Sequence, residues 1–462
     1  MLVLLTACSS VTDEGDLVQD EVDPFVSCQR QAANALRFDC TVDLDQPASV
    51  RFELTEAGGS HARSITGSDV AITHELALWG LKPAREYSWR VFAAAGLVSE
   101  GTLQTAALPA GVAGIAFDVT GDDPVVEHLM FTFRCDDRYL LIVDAVREVV
   151  WYQEIDSPAG GAGGNVSGFN ATTDNSVVVL VGSDILEYHM SGLELNRILR
   201  GTHFDEPLHH DVYKHAGYIY ALNHSSYGLG EGEAVVDGFY IFDDAGQQLA
   251  RWELNDYVEY SAGESRGSSR DFPGALEWSH GNSIFVDDSG IYLSTRHLGT
   301  VWKVRGYPDE NFGDIEWKLT GDPESTVTND FVLSASVGVT DQTDFRQQDH
   351  ATVSADGTLT LFDNRSRSEA SRALAIEFGP ADGTANIVAS HAVPLQCNVQ
   401  GGAFRMPNGD MIATCAVEGT AYHYRVGGGD APSFTFAPRC TIPGGADDSA
   451  PVPLARIATF VF

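Results

Sequence analysis

The chain has 462 residues, of which 44% are hydrophobic and 10% aromatic, and this composition is typical of a folded protein rather than a disordered one. Its length allows two or three domains, and we expect two. The 65 acidic and 28 basic residues give a net charge of −37, which would repel nucleic-acid phosphates and argues against nucleic acid as a partner. An anionic ligand would meet the same repulsion, so an anion site has to gather arginine and histidine locally.

The chain begins with a short apolar run that ends in Cys8 and is followed by serines and an acidic stretch. This run resembles a bacterial lipoprotein signal, and the resemblance implies that Cys8 is lipidated and anchors the protein to a membrane. Residues 1–22 would then be the signal and flexible tether of an exported protein, either periplasmic or at the cell surface. An apolar terminus without that role is the alternative. No other run approaches the ~20 apolar residues that span a bilayer.

The cysteines other than Cys8 are even in number, which suits an oxidising compartment. Their spacing favours two local pairs, because the cysteines of each pair flank a predicted hairpin. The remaining pair would join the first repeat of the second domain to the last. Other connectivities stay open. No Cys-x-x-Cys or His-x-Cys pattern indicates a metal site. The favoured disulfides are Cys28 with Cys40, Cys397 with Cys415, and Cys135 with Cys440.

Residues 23–108 contain short alternating runs separated by glycine and proline turns, which predict a small β-sandwich domain. The stretch from Leu78 to Trp89, with Pro83 and Tyr87, resembles a loop and strand of fibronectin type III domains, and the resemblance implies a sandwich of that kind. Residues 109–113 are predicted to be a linker. The predicted strands of the sandwich are Ser49–Leu54, Ala71–Leu76, Tyr87–Ala93 and Gly96–Gln104.

Residues 114–462 repeat a strand, a turn, a strand and a further strand with an aromatic residue, which predicts a β-propeller of six blades. Turn signals such as Asp356-Gly357 and Asn408-Gly409 fit the hairpins of a blade. The inner strands of a propeller converge on a central channel, so residues far apart in sequence can face one point. The predicted blades include residues 139–151, 177–188, 218–252, 282–317, 351–378 and 402–424.

Four segments of this region carry histidine, arginine and asparagine, and three of them begin a predicted blade, so we expect their side chains around one channel mouth. A strand period of two would place His280 and Asn282 on one face, but His209 and His210 on opposite faces. One of that second pair is therefore expected to be structural. The segments are 208–212 with His209 and His210, 277–284 with Trp278, His280 and Asn282, 294–296 with Arg296, and 349–364 with His350 and Asn364.

Three histidines can hold Zn²⁺ with water as a fourth ligand, but Arg296 and Asn282 beside them suit an oxyanion better than a metal. We therefore expect neither a metal nor another cofactor. The segments lack a carboxylate ring and a Gly-x-Ser-x-Gly elbow, which argues against a glycosidase and a serine hydrolase.

The His-His-Asp, Trp-x-His-x-Asn-Ser, Ser-x-Arg and His followed by Leu-Phe-Asp-Asn segments occur in the order seen in bacterial aryl-sulfate sulfotransferases, a family that the chain resembles over most of its length. The resemblance implies a sandwich joined to a six-bladed propeller that moves a sulfuryl group from an aryl sulfate to a phenol without a nucleotide. It assigns transient sulfation to His350 and binding of the sulfuryl oxygens to His280, Asn282 and Arg296.

His209 or His210 would complete the catalytic ring, and Trp278 and Asn364 are expected to contact the substrate. Imidazole is a competent nucleophile near neutral pH, and a protonated His209 or His210 would assist the departing phenolate. The chain departs from the family pattern at His297, where a small polar residue is expected, and in an acidic, glycine-rich loop at residues 223–238.

Two other functions stay open. One is a non-catalytic, surface-anchored propeller that binds sulfated or phenolic ligands or a partner protein through the same channel. The other is a hydrolase that passes the sulfuryl group to water. Aryl sulfates and phenols are the expected small-molecule partners, and the sequence leaves a homodimer open.

Overall fold

The computed structural model describes residues 25–94, 96–121, 128–134, 137–156, 166–229, 232–261, 265, 267–365, 369–379, 382–428, 431–440 and 457–460. Within these residues the chain is almost entirely β, which confirms the predicted all-β class. Contacts divide the chain into two units, residues 1–78 with 85–105 and residues 79–84 with 106–462. The predicted lipidation site, Cys8, lies outside the described residues.

The five described strands of the first unit are hydrogen-bonded into one antiparallel sheet. They are β1 (Phe25–Arg30), β2 (Phe38–Glu56), β3 (Ala62–Leu78), β4 (Glu86–Ala93) and β5 (Gly96–Gln104). The 19-residue strand β2 pairs with β1 through its first half and with β4 through its second half. Register shifts between Asp43 and Val50 interrupt the pairing of β2 with β3 where the two halves meet, as at a β-bulge.

Strand β3 folds back on itself. A Cβ atom on Gly67 would lie 3.1 Å from side-chain atoms of both His74 and Leu76, whereas a straight strand would separate residues 67 and 76 by about 30 Å. Alternate residues of β2, including Phe52, are buried. The five strands of this unit therefore belong to one hydrogen-bonded sheet in which β2 and β3 are long, and the sandwich arrangement stays a prediction. The likeness to fibronectin type III domains stays a prediction.

The second unit contains many short strands, a one-turn helix in the predicted linker, and a short 3₁₀ helix at Leu254–Asp256. The helix and strands are α1 (Ala110–Ala113), β6 (Ile115–Gly121), β7 (His128–Arg134), β8 (Arg138–Asp144), β9 (Val149–Glu154), β10 (Val166–Ala171), β11 (Ser176–Val181), β12 (Asp184–His189), β13 (Glu194–Ile198), β14 (Leu208–His215), β15 (Tyr218–Gly228), β16 (Glu233–Asp243), β17 (Gln248–Glu253), β18 (Leu276–Glu277), β19 (Gly281–Asp287), β20 (Gly290–Thr295), β21 (Thr300–Val304), β22 (Ile315–Thr320), β23 (Val332–Ala335), β24 (Asp349–Val353), β25 (Leu359–Asp363), β26 (Arg372–Gly379), β27 (Thr384–Ala392), β28 (Gly401–Arg405), β29 (Met411–Cys415), β30 (Thr420–Tyr424), β31 (Phe434–Cys440) and β32 (Ile457–Phe460).

Within the described residues these strands form six sheets, and each of the six predicted repeats contributes strands to a different one. Sheet 1 is β32, β7, β8 and β9, sheet 2 is β10 to β13, and sheet 3 is β14 to β17 with β18. Sheet 4 is β19 to β22, sheet 5 is β24 to β27 with β23, and sheet 6 is β28 to β31 with β6.

The six sheets pack in cyclic order. Shared clusters of buried apolar side chains join sheets 2 and 3, 3 and 4, 4 and 5, and 5 and 6. Trp151 Nε1 of sheet 1 donates to the carbonyl of Met190, in the turn after β12 of sheet 2, at 2.7 Å. The rings of Phe131 in sheet 1 and Phe436 in sheet 6 lie 5.3 Å apart. Sheets 6 and 1 each combine strands from both ends of the second unit. The early strand β6 pairs with β31 in sheet 6, and the late strand β32 pairs with β7 in sheet 1.

Two predicted disulfides lie within the described residues, and both are confirmed. Cys28 and Cys40 are opposed on β1 and β2, with Cα atoms 4.1 Å apart, and Cys397 is bonded to Cys415 with a Cα separation of 5.6 Å. Cys440 is also disulfide-bonded, but its predicted partner, Cys135, lies outside the described residues.

Residues 79–84, which lie within the stretch predicted to be the sandwich domain, belong instead with the second unit. Lys82 Nζ lies 2.9 Å from Asp144 Oδ2 and 2.8 Å from Glu148 Oε2, and these two ion pairs fix the segment to sheet 1 and its turn. No helix among the described residues is long and apolar enough to cross a membrane.

The fold predicts a sharp difference between two glycines of the β15–β16 hairpin. A Cβ atom on Gly238 would lie 2.1 Å from the carbonyl oxygen of Trp252, whereas a Cβ atom on Gly228 would meet nothing within 4 Å. We expect Gly238→Ala to lower the free energy of unfolding by about 1–3 kcal/mol, because neighbouring backbone has to move. Gly228→Ala is the matched control and should be neutral. Urea unfolding measures both, and equal stability of the two variants would contradict this packing.

Candidate functional site

Three histidines share an unusual backbone conformation at equivalent places in successive sheets. His210, His280 and His350 have φ angles of 54°, 50° and 50°, in the left-handed region that costs a non-glycine residue roughly 1–2 kcal/mol. His210 and His350 lie within register shifts near the start of β14 and β24. His280 immediately precedes β19, whose register shifts between Gly281 and Ser283. Such strain clusters at functional sites. Three of the four histidines named by the sequence segments therefore share this conformation, and His209 is the exception.

The prediction that His209 and His210 point to opposite faces is wrong. Their Nδ1 atoms lie 2.7 Å apart and share a hydrogen bond. Period-two alternation holds only for uniform extended backbone, and the left-handed turn at His210 breaks it. Both imidazoles consequently enter the same buried site, and His210 is the one equivalent to His280 and His350.

Five imidazole rings form a continuous row through sheets 3 and 4. The ring of His224 stacks on that of His209, with centroids 3.5 Å apart, and His209 contacts His210 at 5.0 Å. His210 contacts His280 at 5.1 Å, and His280 contacts His297 at 4.7 Å. No sequence motif singled out His224, and His297 stood out only as a departure from the family pattern.

Three carboxylates, those of Asp237, Asp271 and Glu277, lie along this row, and none was predicted. Asp237 is fully buried, and its Oδ1 lies 3.2 Å from His209 Nε2 and 3.3 Å from His224 Nε2. Glu277 Oε2 lies 3.0 Å from His280 Nδ1, and the Glu277 carbonyl lies 3.2 Å from His297 Nδ1. Residues 223–238, the acidic and glycine-rich stretch that contains both His224 and Asp237, were the sequence feature that could have pointed to this part of the site.

Of His209, His210 and His224, it is His224 whose surroundings favour protonation, whereas protonation was predicted at His209 or His210. Burial opposes protonation of His224, but the adjacent Asp237 and Asp271 carboxylates raise its pKa to about 9. Burial and the neighbouring imidazoles lower the pKa of His209 and hold that of His210 well below its usual value. Burial also lowers the pKa of His297 to about 4. At neutral pH, His209, His210 and His297 are therefore neutral.

The segment before His350 is held from neighbouring strands. Asn282 Nδ2 donates to the carbonyl of Gln348 at 2.6 Å, and Asn364 Nδ2 donates to the carbonyl of Gln347 at 2.9 Å. The backbone N–H of Ala351, the next residue after His350, donates to Ser283 Oγ at 2.9 Å. Asn282 and Asn364 thus position the His350 loop, and their predicted contacts with substrate stay predictions.

Arg296 reaches the same loop from the end of β20. Its Nη2 donates to Gln347 Oε1 at 2.8 Å and to the carbonyl of Asn398 at 2.9 Å. The guanidinium is therefore held by residues that precede β24 and β28, beside the segment that carries His350.

Trp278 is 1% exposed and belongs to the apolar cluster between sheets 3 and 4, where its ring contacts that of Tyr260. This position gives it a packing role. Its predicted contact with an aryl group stays a prediction.

One edge strand of each sheet is called its inner strand here, and the inner strands are β10, β14, β19, β24, β28 and β32. A cavity of about 250 Å³ lies among these six strands. Each inner strand contributes to its wall, so one cavity is shared by all six sheets of the described residues. His350 lines this cavity, and so does Asp211, the residue after His210. One wall residue from each strand, in chain order, is Phe169, Asp211, Ile284, His350, Phe404 and Ile457.

No protein-family model matches the chain, and no curated protein matches it. Among solved structures, an inactive variant of virginiamycin B lyase from Staphylococcus aureus with quinupristin is similar at 11% identity, covering 67% of this chain and 85% of that one, with a TM-score of 0.37. A streptogramin B lyase is similar at 8% identity over 72% and 100%, with a TM-score of 0.37. Apo AztD from Citrobacter koseri is similar at 7% identity over 89% and 97%, with a TM-score of 0.33. Likenesses this weak carry no argument about this chain.

The left-handed backbone of His350 predicts an inverted order of stability between glycine and alanine. His350→Gly should be more stable than His350→Ala by about 1 kcal/mol, because alanine keeps the strain and glycine removes it. His215, on β14 and without a positive φ, is the control, and there alanine should be the more stable by about 0.5–1 kcal/mol. Chemical denaturation of the four variants tests this. The same order at both positions would contradict a strained His350.

Proposed function

We propose that the second unit is a six-bladed β-propeller enzyme that moves a sulfuryl group from an aryl sulfate to a phenol through His350. The observation that carries the proposal is the shared left-handed bulge of His210, His280 and His350, the histidines of the segments that resemble aryl-sulfate sulfotransferases. A packing role alone would not require strained backbone at three equivalent places.

The cyclic order of the six sheets and the cavity among their inner strands support the propeller architecture. The two disulfides of the described residues support an exported protein, since disulfides persist in oxidising compartments. Export as a lipoprotein through Cys8 and a fibronectin-III-like first unit remain part of the proposal.

The proposed reaction has two displacements at one sulfur. An imidazole nitrogen of His350 forms a bond to sulfur as the bond between sulfur and the aryl oxygen breaks, and the phenolate leaves. The oxygen of an acceptor phenol then attacks the sulfohistidine and releases its proton to solvent, which replaces the proton taken up by the departed phenolate. The sulfur–nitrogen bond breaks, and His350 is restored. Covalent catalysis of this kind predicts ping-pong kinetics.

Charge in the transition state would lie on the equatorial sulfuryl oxygens and the departing phenolate, as in phosphoryl transfer. Arg296 supplies a fixed cation beside the His350 loop. His210 is neutral and hydrogen-bonded through Nδ1 to His209, so it can still donate one N–H bond through Nε2. Stabilisation by such fixed donors is the main contribution that a protein makes to this chemistry.

Release of 4-nitrophenol from 4-nitrophenyl sulfate by the purified protein, with and without phenol, tests the reaction. We expect release that depends on phenol, and a loss on the order of 10³ or more in His350→Ala. His215→Ala, an exposed histidine on an inner strand, should retain full activity. Release without an acceptor would instead indicate the hydrolase, and a folded protein inactive across a panel of phenols would favour the binding propeller. Activity that survives His350→Ala would show that His350 is not the nucleophile.

Arg296→Lys tests the role of the guanidinium. Lysine keeps the charge but cannot reproduce the planar set of donors, so kcat should fall about 100-fold while the fold is retained. Steady-state kinetics with 4-nitrophenyl sulfate measures the change, and Arg405→Lys, in the cavity wall of β28, is the comparison. An unchanged kcat in Arg296→Lys would remove Arg296 from the proposed site.

A further inference from the structure

Three buried ligand atoms converge on one point in sheet 3. His209 Nε2 and His224 Nε2 lie 3.2 and 3.3 Å from Asp237 Oδ1, and all three atoms are within 4.8 Å of one another. The side chains are at least nine-tenths buried. None of the three atoms makes a hydrogen bond of acceptable geometry among the described residues. Buried polar atoms without such bonds are costly, and a bound ion is one way to satisfy them.

The opposite side of each of these groups is occupied by an orienting partner. His224 Nδ1 bonds Asp271 Oδ2 at 2.9 Å, and His209 Nδ1 bonds His210 Nδ1 at 2.7 Å. Ser279 Oγ donates to Asp237 Oδ2. With Nδ1 of His209 and His224 engaged by these partners, Nε2 is the ring nitrogen of each that faces Asp237 Oδ1. A bound ion would displace the proton that the two carboxylates favour on His224. Metal-binding histidines and carboxylates are held by outer partners in this manner.

The three groups come from adjacent strands, β14, β15 and β16, and His224 is directly opposite Asp237 in the pairing register. A ligand set on neighbouring strands of one sheet is rigid before an ion binds. Glu277 Oε1 lies 3.8 Å from His224 Nε2, at the side of this group. A Cβ atom at position 281 would lie 2.8 Å from Asp237 Oδ1, so Gly281 keeps this side open to the carboxylate.

We propose that His209, His224 and Asp237 bind one divalent transition-metal ion, with Glu277 beside it as an additional ligand. Two imidazoles and carboxylate oxygens suit Zn²⁺ or Fe²⁺ better than Mg²⁺ or Ca²⁺, which prefer oxygen ligands. The two carboxylates balance the charge of such an ion. This site contradicts the expectation of no metal drawn from the sequence, because Asp237 and His224 were not in the segments considered there.

The inference does not rest on the proposed sulfuryl transfer. It adds a connection to that site, because the ion would fix the tautomer of His209, whose Nδ1 then donates to His210. The imidazole of His209 would then separate the ion from His210, one of the three histidines with left-handed backbone.

The full chain, treated with a chelator and then dialysed, should be titrated with Zn²⁺ by calorimetry and its metal content measured by mass spectrometry. We expect one equivalent per chain, weak or absent binding of Mg²⁺, and a rise in the melting temperature with Zn²⁺. His224→Gln and Asp237→Asn should lose the equivalent. His423→Gln, which alters another buried histidine close to a single carboxylate, Asp410, is the matched control and should keep it.

Asp271→Asn gives a milder test should the ligand variants fail to fold, and it should weaken binding 10–100-fold, as loss of an outer partner does. Wild-type protein that binds no Zn²⁺ would overturn the proposal. So would an equivalent that survives Asp237→Asn but is lost in His297→Gln, because the ion would then lie at the neighbouring group of Glu277, His280 and His297. These measurements count metal rather than turnover, so their outcome is separate from that of the sulfuryl-transfer assay.

Discussion

The candidate site depends on one backbone constraint, the left-handed bulge near the start of three inner strands. An inner strand is paired on one side only, which leaves its other side able to bulge without disrupting a second ladder. Successive inner strands are tied by side chains that accept backbone N–H groups, from Lys214 to Asn170, from Ile284 to Asp211 and from Ala351 to Ser283. The same local geometry therefore recurs from sheet to sheet and brings His210, His280 and His350 to equivalent positions.

A second constraint is the burial of Asp237. A carboxylate without solvent has to be balanced nearby, and here a charged His224, a neutral His209 and a hydroxyl from Ser279 surround it. This group explains why the histidines do not share charge evenly. Protonation is favoured at His224, next to Asp237 and Asp271, whereas His209 and His210 remain neutral donors and acceptors.

The two proposals meet at His210. On one side its ring contacts His280, which the family resemblance assigns to the sulfuryl group, and on the other its Nδ1 bonds His209 of the proposed metal site. In a chain with a net charge of −37, both sites have to hold their positive charge through local contacts. Arg296, fixed by Gln347 and Asn398, and His224, fixed by two carboxylates, show how buried or tethered side chains achieve this.

The sequence by itself determined the all-β class, the six repeating segments, two local disulfides and the segments that carry the strained histidines, because alternation, turn residues and cysteine spacing act over short distances. The tertiary structure decided the rest. It paired His209 with His210, where period-two alternation failed because one residue adopted a left-handed conformation. It turned Asn282 and Asn364 toward the His350 loop, and it brought His224 and Asp237 into the site from a hairpin that the motifs did not cover. Convergence of that kind is set by how sheets pack and where strands bulge, and no local pattern encodes it.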